Sequence, residues 1–75
     1  MFIRCGKVDI DLYEVKIVGP SVMHSGMEWY EVMFKSDYTI NIHERREDGK
    51  TVYMPRKEFV KALYESRGQR YEDGE

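Results

Sequence analysis

Trp29-Tyr30-Glu31-Val32-Met33-Phe34-Lys35-Ser36-Asp37-Tyr38-Thr39-Ile40-Asn41-Ile42-His43-Glu44 is the stretch whose reading decides the fold. Its first part is rich in aromatic, β-branched and large side chains, the composition of a central strand. Tyr38, Ile40 and Ile42 then alternate with Thr39, Asn41 and His43, which predicts a strand with one apolar face. Lys35-Ser36-Asp37 between them reads as a tight turn, with Asp37 taking the left-handed conformation. A three-residue loop sets Phe34 against Tyr38, Val32 against Ile40 and Tyr30 against Ile42, whereas a two-residue loop would set Val32 against Asn41. The wholly apolar pairs select the first register.

Toward the C-terminus, Glu47-Asp48-Gly49 reads as a second three-residue hairpin loop, its glycine left-handed. Lys50 to Met54 is then the last antiparallel strand, with Met54 against Ile42 and Tyr53 beside His43. Pro55 stops that strand and suits the first turn of a helix. Phe59, Val60, Leu63 and Tyr64 follow at helical spacing, predicting an amphipathic helix of about three turns that Gly68 ends. Residues 69–75 read as a flexible polar tail, leaving 1–68 as a single domain.

Toward the N-terminus, Phe2 to Cys5 reads as a short strand closed by Gly6. Val8, Ile10 and Leu12 then alternate with Lys7, Asp9 and Asp11. Tyr13, Val15 and Ile17 fall at odd positions instead, so a bulge or turn is expected near Leu12 to Glu14. Gly19 and Pro20 end the next strand. The Gly19 to Met27 stretch reads as an irregular arm, with Val22 and Met23 able to form a short strand within it. The expected class is α+β, a small antiparallel β-meander of four to five strands with one C-terminal helix packed on one face.

Seventy-five residues, 41% hydrophobic and 35% charged, fit one small domain and exclude a two-domain enzyme. Twelve Lys and Arg against fourteen Asp and Glu give a formal charge of -2, neither a strongly basic chain nor an acidic mimic of DNA. The single cysteine, Cys5, has no internal disulfide partner, and no Cys/His cluster has zinc spacing, which points to a reducing, cytoplasmic compartment. No apolar run approaches the roughly 20 residues of a spanning helix, and Met1 to Lys7 lack the plan of a signal peptide, so no membrane is expected.

Chemistry-bearing residues are sparse. His24 and His43 stand apart and make no metal pattern. Asp9 and Asp11 share a strand face near Glu14, a pairing that could bind a cation or work as acid and base. Such work needs a pocket, and a solvated face that discourages edge pairing is the simpler reading. Cys5 reads as a small buried strand residue. No phosphate-binding loop, dinucleotide fingerprint or nucleophile elbow occurs, so neither enzyme activity nor a cofactor or metal is expected.

What the pattern does offer is a surface. A helix of 11 residues is only about 16 Å long and covers one face of the sheet. Trp29, Met33, His43 and Tyr53 fall on the opposite face, open to solvent, to the arm as a lid, or to another molecule. Trp, Tyr and Met are interface-core residues, so the expected function is a non-enzymatic protein-binding module: an inhibitor, adaptor or assembly factor acting through a sheet face or edge. By size and composition alone, virus-encoded regulators of host proteins are an analogy. Its partner would be another protein or a second copy of the chain. The alternative is nucleic-acid binding, with the aromatic face as a stacking platform and Arg45, Arg46, Lys50, Arg56 and Lys57 as a phosphate-binding ridge.

Overall fold

The computed structural model describes residues 1–72, which form antiparallel sheets of two and four strands and one C-terminal helix, a small α+β fold. β1 (Phe2–Cys5) and β2 (Val8–Asp11) make a separate hairpin with Cys5 opposite Val8. Gly6 opens its two-residue loop at φ 68°, the conformation that glycine supplies at the first position of a mirror-image turn. The parity change after Leu12 takes the form of one 3-10 turn, Leu12–Glu14, which Asp11 caps by accepting a hydrogen bond from the Tyr13 amide at 3.0 Å. The corner expected there is present.

β5 (Met27–Phe34) is the centre of the larger sheet. One of its edges carries β3 (Val15–Val18) beside its C-terminal half and β4 (Val22–His24) beside its N-terminal half. Between them the Gly19 amide donates to the Glu31 carbonyl at 2.8 Å and keeps the ladder continuous. β6 (Thr39–His43) takes the other edge, pairing Tyr30 with Ile42, Val32 with Ile40 and Met33 with Thr39. The intervening turn has Asp37 at φ 69°, and the Phe34 and Tyr38 rings stack at 6.2 Å. This is the register that the apolar pairs select.

Three expectations are corrected. Val15 and Ile17 do not share a face, because a bulge between them pairs Val15 with Phe34 but Ile17 with Met33; Val15 is 1% exposed and Ile17 51%. The Gly19 to Met27 arm is ordered as β4 and a tight hairpin, with Ser25 and Gly26 at φ 54° and 79°, so it lies beside β5 in the plane of the sheet. The antiparallel hairpin expected at Glu47-Asp48-Gly49 does not form. Gly49 is left-handed as expected, but Tyr53 meets His43 in a parallel bridge. The reason is tertiary. Lys7 donates to the Thr51 carbonyl at 2.8 Å, the Tyr30 hydroxyl donates to the Met54 carbonyl at 2.9 Å, and Met54 packs against the core. The loop after β6 must therefore swing round and return in the same direction as β6.

Even-numbered residues of β5 and β6 face the core, where Tyr30, Val32 and Ile42 are fully buried with Cys5, Leu12 and Phe59. The β1–β2 hairpin and α1 (Arg56–Ser66) together supply the other wall. Phe59 and Val60 are the buried residues of the helix, and the Phe59 ring lies tilted on Tyr30 with centroids 6.1 Å apart. Gly68, at φ 70°, follows its end. Of the tail expected at 69–75, Gln69 bonds to the Tyr64 carbonyl and the Tyr71 ring meets Tyr64 edge-on at 5.4 Å, while 73–75 lie outside the described residues.

Candidate protein interface

Among the described residues, the helix and the β1–β2 hairpin pack on the even-numbered face of the four-stranded sheet and leave its odd-numbered face without either. Pairing brings Val22 opposite Trp29, Trp29 opposite His43, and Ile17 opposite Met33. Val22 is 48% exposed and Met27 37%, while Trp29 and Met33 are half-buried at the centre. The Trp29 and His43 rings are in contact at 6.3 Å, tilted by 47°. Beside Trp29, a cleft of about 560 Å³ is lined by Pro20, Val22 and Met23 together with His24 and Glu31. The face is mixed: the exposed Glu31 and Asn41, paired across β5 and β6, separate the Trp29 and His43 rings from Met33 and Ile17.

Of the four residues expected to form the interface, Trp29, Met33 and His43 come together on this face. Tyr53 is bridged to His43, but its ring rests on the β1–β2 turn, so close that a Cβ on Gly6 would come within 2.8 Å of it. Tyr53 therefore belongs largely to the joint between hairpin and sheet. His43 is tightly held, its side chain 13% exposed and its Nδ1 3.8 Å from the Glu47 carboxylate. That separation is too long for a hydrogen bond, and Nδ1 has no partner among the described residues.

Ile17, Val22 and Met27 extend the face beyond what pattern-reading finds. For Val22 and Met27 a signal exists: Ser25-Gly26 is a turn dipeptide between two strand-like triplets, which is a hairpin at two-residue spacing. For Ile17 none exists, because the bulge that turns it outward leaves the Val15/Ile17 alternation intact in the sequence.

The basic ridge is less uniform than its sequence. Arg45, Arg46 and Lys50 are exposed, and Lys57 is exposed but already engaged. Arg56 is committed to the fold. Its Nε donates to the Gly19 carbonyl at 2.7 Å, and its amide donates to the Glu44 carboxylate at 2.8 Å. Glu44 also accepts from the Ser21 hydroxyl. Pro55 offers no side-chain cap, so Glu44 performs that task from the end of β6, placing negative charge at the positive end of the helix. Arg46 and Lys50 line a cleft of about 320 Å³ with Lys7, but Glu47 and Asp48 line it too, which leaves no strong anion field.

The remaining chemistry is quiet. Burial, with smaller contributions from Glu58 and Asp9, pushes the Cys5 thiol up to about 11, so it is held as the unreactive thiol. Asp9 is bound by Arg4 at 2.9 Å, which lowers its carboxyl below the ordinary range. Burial drives the Tyr30 hydroxyl well upward. Among the described residues no group of three or more His, Cys, Asp or Glu could hold a metal ion, and no helix is long and apolar enough to cross a membrane.

No family model matches the chain, and neither a curated protein nor a solved structure matches it.

Proposed function

We propose that this chain is a non-enzymatic protein-binding module, an inhibitor, adaptor or assembly factor of the type viruses also direct at host proteins, working in a reducing cytoplasm. Its binding surface is the outer face of the four-stranded sheet, with Trp29, Met33 and His43 at the centre and Ile17, Val22 and Met27 around them. The observation that carries this reading is the asymmetry of the sheet. The helix and the β1–β2 hairpin both pack on one side, and on the other Trp29, Met33, Ile17 and Val22 are left around the polar Glu31/Asn41 pair. Glu31 and Asn41, paired between the Trp29/His43 row and Met33 and both exposed, give this surface a polar centre flanked by apolar groups, so the partner would need a polar group to meet them. The partner is another protein or a second copy.

The alternative, nucleic-acid binding, draws on the exposed Arg45, Arg46 and Lys50. It is the weaker reading, since Arg56 serves the fold and acidic residues interleave with the rest.

A photo-crosslinking amino acid at position 33, with position 61 on the exposed side of the helix as control, tests the reading in cells. The expected result is a discrete protein adduct from position 33 that Trp29→Ala abolishes and that position 61 does not give. Equal adducts from both positions would refute it, and an adduct removed by nuclease would favour the alternative.

A further inference from the structure

The seam between the two sheets holds a second surface. At one end, residues 51–54 fill it: Lys7 of the β1–β2 turn donates to the Thr51 carbonyl, His43 donates to the Val52 carbonyl at 3.1 Å, and Met54 donates to the His43 carbonyl at 2.8 Å. In antiparallel strands outward-pointing backbone groups recur at every second residue. The next outward groups are therefore those of Asp9 and Asp11 on β2, and of Asn41 and Thr39 on β6. The Asp11 carbonyl is taken by the first bond of the 3-10 turn, while among the described residues the outward backbone groups of Asp9, Thr39 and Asn41 have no backbone partner. Two open strand edges thus border the same gap.

The gap is a groove of about 550 Å³ with an apolar floor of Val8, Ile10, Phe34, Ile40 and Val52. Phe2 and Tyr38 stand at its rim, 67% and 65% exposed. Its charged lining is one-signed: Asp9, Asp11 and Glu14 contribute to it, and no Lys or Arg does. Arg4 pairs with Asp9 at 2.9 Å and the N-terminal ammonium lies 3.9 Å from Asp11, so both carboxylates are partly compensated and the border keeps a small net negative charge, with Glu14 adding to it.

We propose that this groove takes a basic, extended segment of another protein as an added strand. The open edges supply the main-chain partners and favour an extended backbone over a helix. A strand alternates its side chains, so one set enters the apolar floor while the other reaches the carboxylates as Lys or Arg. The groove lies at the seam where the core-side residues end, away from the Trp29 face, so either surface can fail its test without the other.

The test uses the full chain at low ionic strength and an octapeptide alternating lysine and valine, with two controls: the same peptide carrying glutamate for lysine, and the lysine peptide N-methylated at alternate amides. Binding is expected to slow amide exchange at Asp9, Asp11, Thr39 or Asn41, measured by NMR. The glutamate peptide should not bind. Methylation should weaken binding about tenfold or more, as the loss of one or two hydrogen bonds requires. The double variant Asp9→Asn, Asp11→Asn should bind the lysine peptide more weakly while staying folded, its denaturant midpoint lowered only by the loss of the exposed Arg4–Asp9 and N-terminus–Asp11 pairs, since asparagine still caps the 3-10 turn. The proposal is overturned by equal binding of methylated and unmethylated peptides, which would mean charge attraction without strand addition. It is overturned also by no binding up to about 1 mM, the weak end of specific affinity. Protection confined to the Trp29 face would contradict it, as would protection that rises with protein concentration alone, the mark of a second copy.

Discussion

Trp29 and Tyr30 are consecutive residues of one strand, and a half-turn of the pleat sends them into different surroundings. Tyr30 is fully buried, its ring on Phe59 and its hydroxyl spent on the Met54 carbonyl. Trp29 is half-buried, touching His43 and paired with Val22 of β4. On the Tyr30 side, three separate elements converge: the β1–β2 hairpin, the helix and the returning 51–54 segment. On the Trp29 side, among the described residues, the sheet carries neither the helix nor that hairpin. In a domain of this size there is chain enough to build one core, and apolar residues placed outside it need another explanation.

The difference between the faces can be challenged most severely at Phe59. Its removal opens a cavity against Tyr30 on the core side, so Phe59→Ala should cost about 3–5 kcal/mol, enough to abolish most folding in a domain this small. Circular dichroism in increasing urea reads the loss. A shift within experimental error would mean that the helix is not what seals this face.

The next test concerns the hairpin that forms the other half of the wall. Gly6 is left-handed, and a Cβ there would sit 2.2 Å from the Thr51 carbonyl oxygen, a backbone atom that cannot step aside. Gly6→Ala should therefore destabilise by roughly 1–3 kcal/mol or more through backbone strain and the loss of the hairpin's dock. Gly49, with open space around its Cα, should accept alanine at the smaller cost of its φ alone. Equal effects at the two glycines would remove the close approach from the explanation. A smaller effect is expected at Glu44. Glu44→Gln keeps the shape but removes the charge at the helix start, and should cost about 1 kcal/mol, readable as a lower urea midpoint.

How much of this was legible depends on the range of the interactions. Local signals served well where turn chemistry and alternation agree: Lys35-Ser36-Asp37 with the Val32/Ile40 pairing, Gly6 after Cys5, Pro55 before the helix. They failed at Glu47-Asp48-Gly49, where Gly49 does turn but the direction of the returning chain is decided by Lys7, Tyr30 and Cys5, residues 24 or more positions away. Pattern also places Trp29, Met33 and His43 on one face, since register alone settles that. It could not give Ile17, because a bulge reverses its side without changing the sequence pattern. Tyr53 carries the same lesson: strand position puts it beside His43, and close contact with a glycine on another hairpin decides where its ring lies.

The most direct test of the two-faced sheet is urea unfolding of Tyr30→Ala and Trp29→Ala in parallel, followed by circular dichroism. Tyr30→Ala should lose about 3–5 kcal/mol, as a buried aromatic does, whereas Trp29→Ala should lose about 1 kcal/mol or less and keep the slope of the transition. Comparable losses in the two variants would show that the Trp29 face is a second core, and the docking surface proposed for it would not exist.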